Sequence, residues 1–179
     1  MKKHIVLLLS LGISLVPSIA GASTHAKSLQ NLGMDEVMFA QMMIPHHKQA
    51  VSISETAIKK SQNQAILKLS QQIKGAQGSE ISQMTYWLKA TNSSMSMDHD
   101  MKMSGMLSLK ELASLKSLTG AEFDRTFLDL MIKHHQGAIE MLDLISDSKN
   151  AEAKALSKSI NSAQSREIKT MKQLLKKFE

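Results

Sequence analysis

The chain repeats itself, and the repeat limits what it can fold into. Phe39-Ala-Gln-Met-Met-Ile-Pro-His-His-Lys-Gln-Ala50 returns as Phe127-Leu-Asp-Leu-Met-Ile-Lys-His-His-Gln-Gly-Ala138, with Phe, Met, Ile, His, His and Ala coinciding at an offset of 88. A second block, Leu69, Ser70, Ile73, Ala76, Gln77, Glu80, Ile81, Met84, Leu88 and Lys89, recurs at an offset of 87 between Leu156 and Lys176. Two blocks in the same order, with one residue of slippage, describe a duplicated two-element unit.

Each element has the period of a helix. Phe39, Met43, His46, Ala50, Ile53 and Ala57 step by four and three, as do Phe127, Met131, His134, Ala138, Met141 and Ile145. Ile66, Leu69, Ile73, Ala76 and Leu156, Ile160, Ala163, Met171 form similar seams in the second and fourth elements. No alternating β pattern of useful length occurs. The pattern predicts an all-α antiparallel four-helix bundle of two hairpins, at about 34–90 and 120–178, with turns near Ser61 and Ser148. A linker at 91–106 joins them. Ser108…Glu111 and Thr119…Glu122 read as capping boxes. Pro45 removes a helical hydrogen bond, so the first helix is expected to kink or restart there. The duplication implies a pseudo-two-fold axis, with the first and third helices diagonal and both His pairs turned inward.

Ahead of the repeat, Met1-Lys-Lys-His4 and the apolar run Ile5–Val16 lead to Ala20-Gly-Ala22. This is the order of an export signal, and Pro17 and Ser18 cut the run short of a membrane span. Residues 1–22 are therefore expected to be removed, leaving a periplasmic or secreted domain at 23–179 with no stable membrane anchor. The full chain carries a formal charge of +6, and loss of Lys2 and Lys3 leaves it mildly basic. No Lys/Arg cluster is interleaved with aromatics, so nucleic acid is not an expected partner. The absence of cysteine excludes thiolate sites of every kind.

Chemistry points to metal. Met43 precedes His47 by four residues, and Met131 precedes His135 by four, so each pair shares a helix face. His46 and His134 lie about 100° away on the neighbouring seam. Depth measured from the two turns puts Gln77, Glu80, Gln164 and Glu167 level with these pairs, as acceptors for imidazole N–H groups or as occasional ligands. The linker adds Met95, Met97, His99, Met101, Met103 and Met106 among Ser, Asp, Lys and Gly, a composition that does not bury as a core. Thioethers with imidazoles suit Cu(I) or Ag(I), and imidazole also binds Cu(II).

These segments resemble the two signature segments of domain-of-unknown-function family 305. The carrying residues are Met42-Met-Ile-Pro-His-His47 and Phe123-Asp124…Met131-Ile132…His134-His-Gln-Gly-Ala-Ile-Glu-Met141, with Ala76-Gln77…Glu80-Ile81…Met84…Trp87-Leu88 as the second helix. The resemblance spans roughly Asp35 to Leu175 and departs at Ile53, where a Met is expected. It implies a secreted or periplasmic ferritin-like bundle, some of whose relatives are linked to copper binding and copper tolerance. The leading expectation is a protein that sequesters copper or hands it to other periplasmic copper-handling proteins, with homo-oligomerisation left open. The alternatives are a bundle-core metalloenzyme and a non-metal adaptor bundle. Against the enzyme, the Glu-x-x-His pairs of di-iron bundles are missing from the sequence.

Overall fold

The computed structural model describes residues 32–97 and 103–178. The signal segment expected at 1–22, His99 and Met101 lie outside the described residues. Helix α1 spans Met34–Lys60, α2 Gln64–Ala90, α3 Leu109–Ser117, α4 Gly120–Met141 and α5 Ala151–Leu175, and a 3₁₀ turn at Leu142–Leu144 follows α4. Among the described residues there is no strand, as the helical periods required.

Local sequence sets the helix ends. The Asn63 side chain caps α2 by accepting from Ala65 N–H, and Asn150 caps α5 by accepting from Glu152 and Ala153 N–H. The Glu36 carboxylate accepts from Gly33 N–H at the start of α1 (2.7 Å). Ser108 and Glu111 form the expected capping box at α3. The box expected at Thr119 does not form: Thr119 makes no side-chain cap, because α4 opens on Gly120 with φ of +59°. That left-handed start redirects the chain, and glycine tolerates it. Pro45 neither ends nor restarts α1, which runs unbroken through it. Proline leaves the Gln41 carbonyl, four residues back, without its helical partner, and the helix continues because its apolar face is packed on both sides of that point.

Two hairpins, α1–α2 and α4–α5, make the body of the fold, and they meet chiefly through α1 and α4. The expectation that these two helices stand diagonally apart is therefore corrected. The interior divides into two apolar clusters. One gathers Phe39, Ala40, Met42, Met43, Ile44, Met84, Trp87, Leu88, Met141, Leu142 and Ile160. The other gathers Ala50, Ile53, Ile66, Leu69, Ile73, Phe123, Phe127, Met131 and Met171. Every long helix crosses from one cluster to the other, and His46, His47, Gln77, His134, His135 and Gln164, all buried, sit at the crossings. Buried polar groups thus form a layer between two hydrophobic cores.

The linker is seated rather than loose where it is described. Gln41 Nε2 donates to the Ser94 and Ser96 carbonyls (2.9 and 3.4 Å). The Gln49 amide both donates to the Leu107 carbonyl (3.0 Å) and accepts from Leu107 N–H (2.8 Å). Between these anchors, Gly105 (φ +74°) lies on α4 at Gly137: a Cβ on Gly137 would stand 2.2 Å from the Ser104 carbonyl oxygen. Gly137→Ala is expected to destabilise the protein by about 1–3 kcal/mol by displacing this strap, although alanine favours the helix itself. Urea unfolding with unchanged far-ultraviolet dichroism in the native state checks it.

Candidate metal centre

The four histidines form a row at the middle of the molecule, and each is 0% exposed. His46 and His134 bring α1 and α4 together with ring centroids 3.8 Å apart. His47 and His135 lie outward on either side, each 6.4 Å from its sequence neighbour. The duplication is legible in this order, His47–His46–His134–His135, which reads alike from either end.

Hydrogen bonds fix the ring faces. His47 Nε2 meets Glu80 Oε2 at 2.8 Å, and His135 Nε2 meets Glu167 Oε2 at 2.7 Å. His46 Nε2 meets the Ser104 carbonyl oxygen at 3.0 Å. All three acceptors lack a proton to give, so Nε2 must be the donor in each case. A neutral ring that donates from Nε2 carries its lone pair on Nδ1. The Nδ1 atoms of His46, His47 and His135 are all buried without a partner, and so are both ring nitrogens of His134. The His46 pKa is lowered to about 3, first by burial and then by His47 beside it, with the Ser104 hydrogen bond opposing. The His134 pKa falls well below the ordinary value, again mainly through burial and then through His46; the His46 backbone lies near it, outside hydrogen-bond geometry.

Glu80 and Glu167 therefore take the role that their depth in the sequence assigned to them. Gln77 and Gln164 do not: both are 2% exposed, and neither amide has a partner. Nine of the twelve buried side-chain polar atoms without a partner, among the described residues, belong to these histidines and glutamines. Each unsatisfied group costs about 1–3 kcal/mol, so their concentration in one layer makes that layer the candidate site. Imidazoles with an unpartnered Nδ1, held through Nε2–H by a carboxylate or carbonyl, have the arrangement of metal-ligating histidines.

The remaining candidates distribute unevenly. Met43 and Met131 are both fully buried but belong to opposite apolar clusters, so the two thioethers flank the layer from different sides. Met97 and Met103 pack half-buried against the first cluster, Met106 is half-buried, and Met95 is 44% exposed. The linker thus contributes apolar packing that its composition did not predict. Among the described residues no three His, Asp or Glu side chains are already gathered around a common point that would hold a metal. Binding by the row requires side-chain adjustment or the participation of thioethers. Two features went unread in the sequence: the Ser104 carbonyl as the partner of His46, and Gly137 as the opening that admits it. Gly137 replaces Gln49 in the aligned repeats, and that break in the pattern was the available signal.

Residues 36–175 match the family described as Domain of unknown function (DUF305). Among solved structures, a DUF305 fragment from Deinococcus radiodurans is 32% identical with a TM-score of 0.75, covering 81% of this chain and 97% of that one. A DUF305 protein from Streptomyces coelicolor, assigned as secreted, is 25% identical with a TM-score of 0.77, covering 80% and 93%. CopM in its Cu(II)-bound form is 30% identical with a TM-score of 0.70, covering 80% and 97%, and CopM is also known in Cu(I)- and Ag-bound forms. No curated protein matches the chain.

Neutral histidines buried in the folded state oppose protonation. In the unfolded chain His46 and His134 take up protons near pH 6.5, so the stability they lend is complete above that pH and falls as pH drops below it, for His46 down towards about 3. Each of His46 and His134 steepens the loss by up to about 1.4 kcal/mol per pH unit. Denaturant unfolding of the metal-free protein at pH 7, 6, 5 and 4 is expected to show this slope, and His46→Gln with His134→Gln to flatten it.

Proposed function

The chain belongs to the DUF305 family, and from that premise we propose that it is an exported copper-binding protein that sequesters the ion or passes it on. One observation carries the reading: His46, His47 and His135 each spend Nε2–H on a fixed acceptor and keep a buried Nδ1 unpartnered. Such donors take Cu(II) well, and the thioethers of Met43 and Met131 on either side favour Cu(I), so the set accommodates both oxidation states. Copper is the cargo here. His46, His47, His134 and His135 are the candidate ligands, with Met43 and Met131 as soft donors and Glu80 and Glu167 orienting the outer rings. Met95, Met97, Met101, Met103, Met106 and His99 form a second, linker-borne donor set for Cu(I) or Ag(I). The absence of cysteine removes the thiols that Cu(II) would oxidise.

Its likeness to CopM, which is known with Cu(I), Cu(II) and Ag bound, supports the choice of metal. Export to the periplasm or beyond is supported by the signal pattern of residues 1–22 and by the Streptomyces relative assigned as secreted. No described helix is long and apolar enough to cross a membrane. In that compartment the partners are the metal ion and other copper-handling proteins. The enzyme reading has less support: among the described residues, His46, His47 and His135 each give Nε2–H to a carbonyl or carboxylate and not to a hydroxyl nucleophile.

Two double variants test the site: His46→Ala with His47→Ala, and His134→Ala with His135→Ala. Each is expected to keep its helicity and lose Cu(II) binding in titration against a competing chelator, and to lose copper tolerance in cells. Variants that bind copper like the parent but melt earlier would make the histidines structural. Glu80→Gln and Glu167→Gln are expected to weaken copper binding by about 10–100-fold while the protein stays folded.

A further inference from the structure

The linker lies along α1, and the hydrogen bonds that hold it there define which face of α1 it covers. Gln41 holds Ser94 and Ser96, His46 holds Ser104, and Gln49 holds Leu107, so linker and helix advance in the same direction. At about 100° per residue, Gln41, Gln49 and His46 span an arc of about 140° of the helix surface. Met38 and Met42 fall inside that arc, at about 60° and 100° from Gln41, one turn apart. Met42 belongs to the first apolar cluster, and Met38, Met97 and Met103 all pack against it while keeping part of their surface exposed.

The duplicated fold does not need methionine at these places. At the offset of 88, Met38 corresponds to Thr126 and Met42 to Leu130. The first cluster holds or supports seven methionines (Met38, Met42, Met43, Met84, Met97, Met103 and Met141), whereas the second includes only Met131 and Met171. Of this excess, Met38 and Met42 sit on α1 where the linker crosses it, and Met97 and Met103 on the linker itself. Methionine fills gaps in any core, but packing alone gives no reason for the excess to follow the linker rather than the repeat.

We propose that Met38 and Met42 of α1, with Met97 and Met103 of the linker, form an all-thioether site for a soft monovalent cation, Cu(I) or Ag(I), distinct from the histidine layer. Sulfur donors without imidazole or carboxylate favour monovalent ions over Cu(II), and partial exposure lets an ion enter from solvent. The site extends the linker half of the proposed function and does not depend on its histidine half. It assigns the helix a share in the linker's metal chemistry, so the linker is not a self-sufficient ligand.

The test uses the protein labelled with ¹³C in the methionine methyl groups and titrated with silver nitrate in chloride-free buffer. The methyl resonances of Met38, Met42, Met97 and Met103 are expected to move together, while those of Met84 and Met171 stay in place. Met38→Leu with Met42→Leu keeps the apolar volume, and is expected to abolish the silver-induced shifts of Met97 and Met103 and weaken Ag(I) binding at least tenfold. Met97 and Met103 shifting in that variant as in the parent would overturn the proposal, as would a parent in which these four methyls do not move. Cu(II) titration of the same variant separates the two readings. Retained Cu(II) binding with lost Ag(I) shifts supports both sites, whereas a parent that binds no Cu(II) yet shows the four shifts loses the histidine reading alone. Should the variant unfold, Met97→Leu with Met103→Leu supplies the reciprocal arm: the Met38 and Met42 methyls must then stop responding to silver, and an undiminished response refutes the shared site.

Discussion

The contact of His46 with His134 governs the arrangement of the molecule. Two imidazoles with centroids 3.8 Å apart, both fully buried, can coexist only as neutral rings. Burial enforces that state first, with His47 adding to it at His46 and His46 adding to it at His134. Neutrality in turn leaves nitrogen lone pairs in the interior, where water is excluded and unpaired acceptors are costly. Helices α1 and α4 are held together at this point, and both hydrophobic cores lie to either side of it. The same constraint that sets the packing produces the donors.

Duplication explains the symmetry of the layer, and the linker breaks it. His47 and His135 have equivalent carboxylate partners, Glu80 and Glu167, one repeat apart. His46 alone is tied to the linker, because Gly137 leaves space on α4 for the Ser104–Gly105 backbone and Gln49 pins Leu107 beside it. Ser104 also hydrogen-bonds to Glu140 through its hydroxyl. His134 is left without a partner on either nitrogen. The two central rings are therefore chemically unequal despite descending from one motif.

Much of this was readable in advance. The four-and-three periods fixed the helices, because burial of one face is what a helix of this length needs. Depth in an antiparallel hairpin, where residues equidistant from the turn lie side by side, put Glu80 level with Met43 and Glu167 level with Met131, close enough to the His pairs for the carboxylates to reach His47 and His135. Reading the depth of Gln77 and Gln164 as hydrogen bonding failed, because depth gives level along a helix but not the direction of an amide. The relation of α1 to α4 also escaped, as a repeat implies an axis without saying which helices lie nearest to it. The seating of the linker depends on backbone groups and on a glycine's missing side chain, which leave little trace in hydropathy.

The central claim is that His46, His47 and His135 are anchored through Nε2–H and open to metal at Nδ1. Nitrogen NMR of ¹⁵N-histidine-labelled protein, recorded at pH 7 through a titration with diamagnetic Ag(I), reads both ring nitrogens directly. The account predicts Nε2–H tautomers for His46, His47 and His135 in the metal-free protein, with silver shifting Nδ1 while the Nε2–H protons persist. Imidazolium rings, Nδ1–H tautomers, or Nδ1 resonances indifferent to the metal would contradict it.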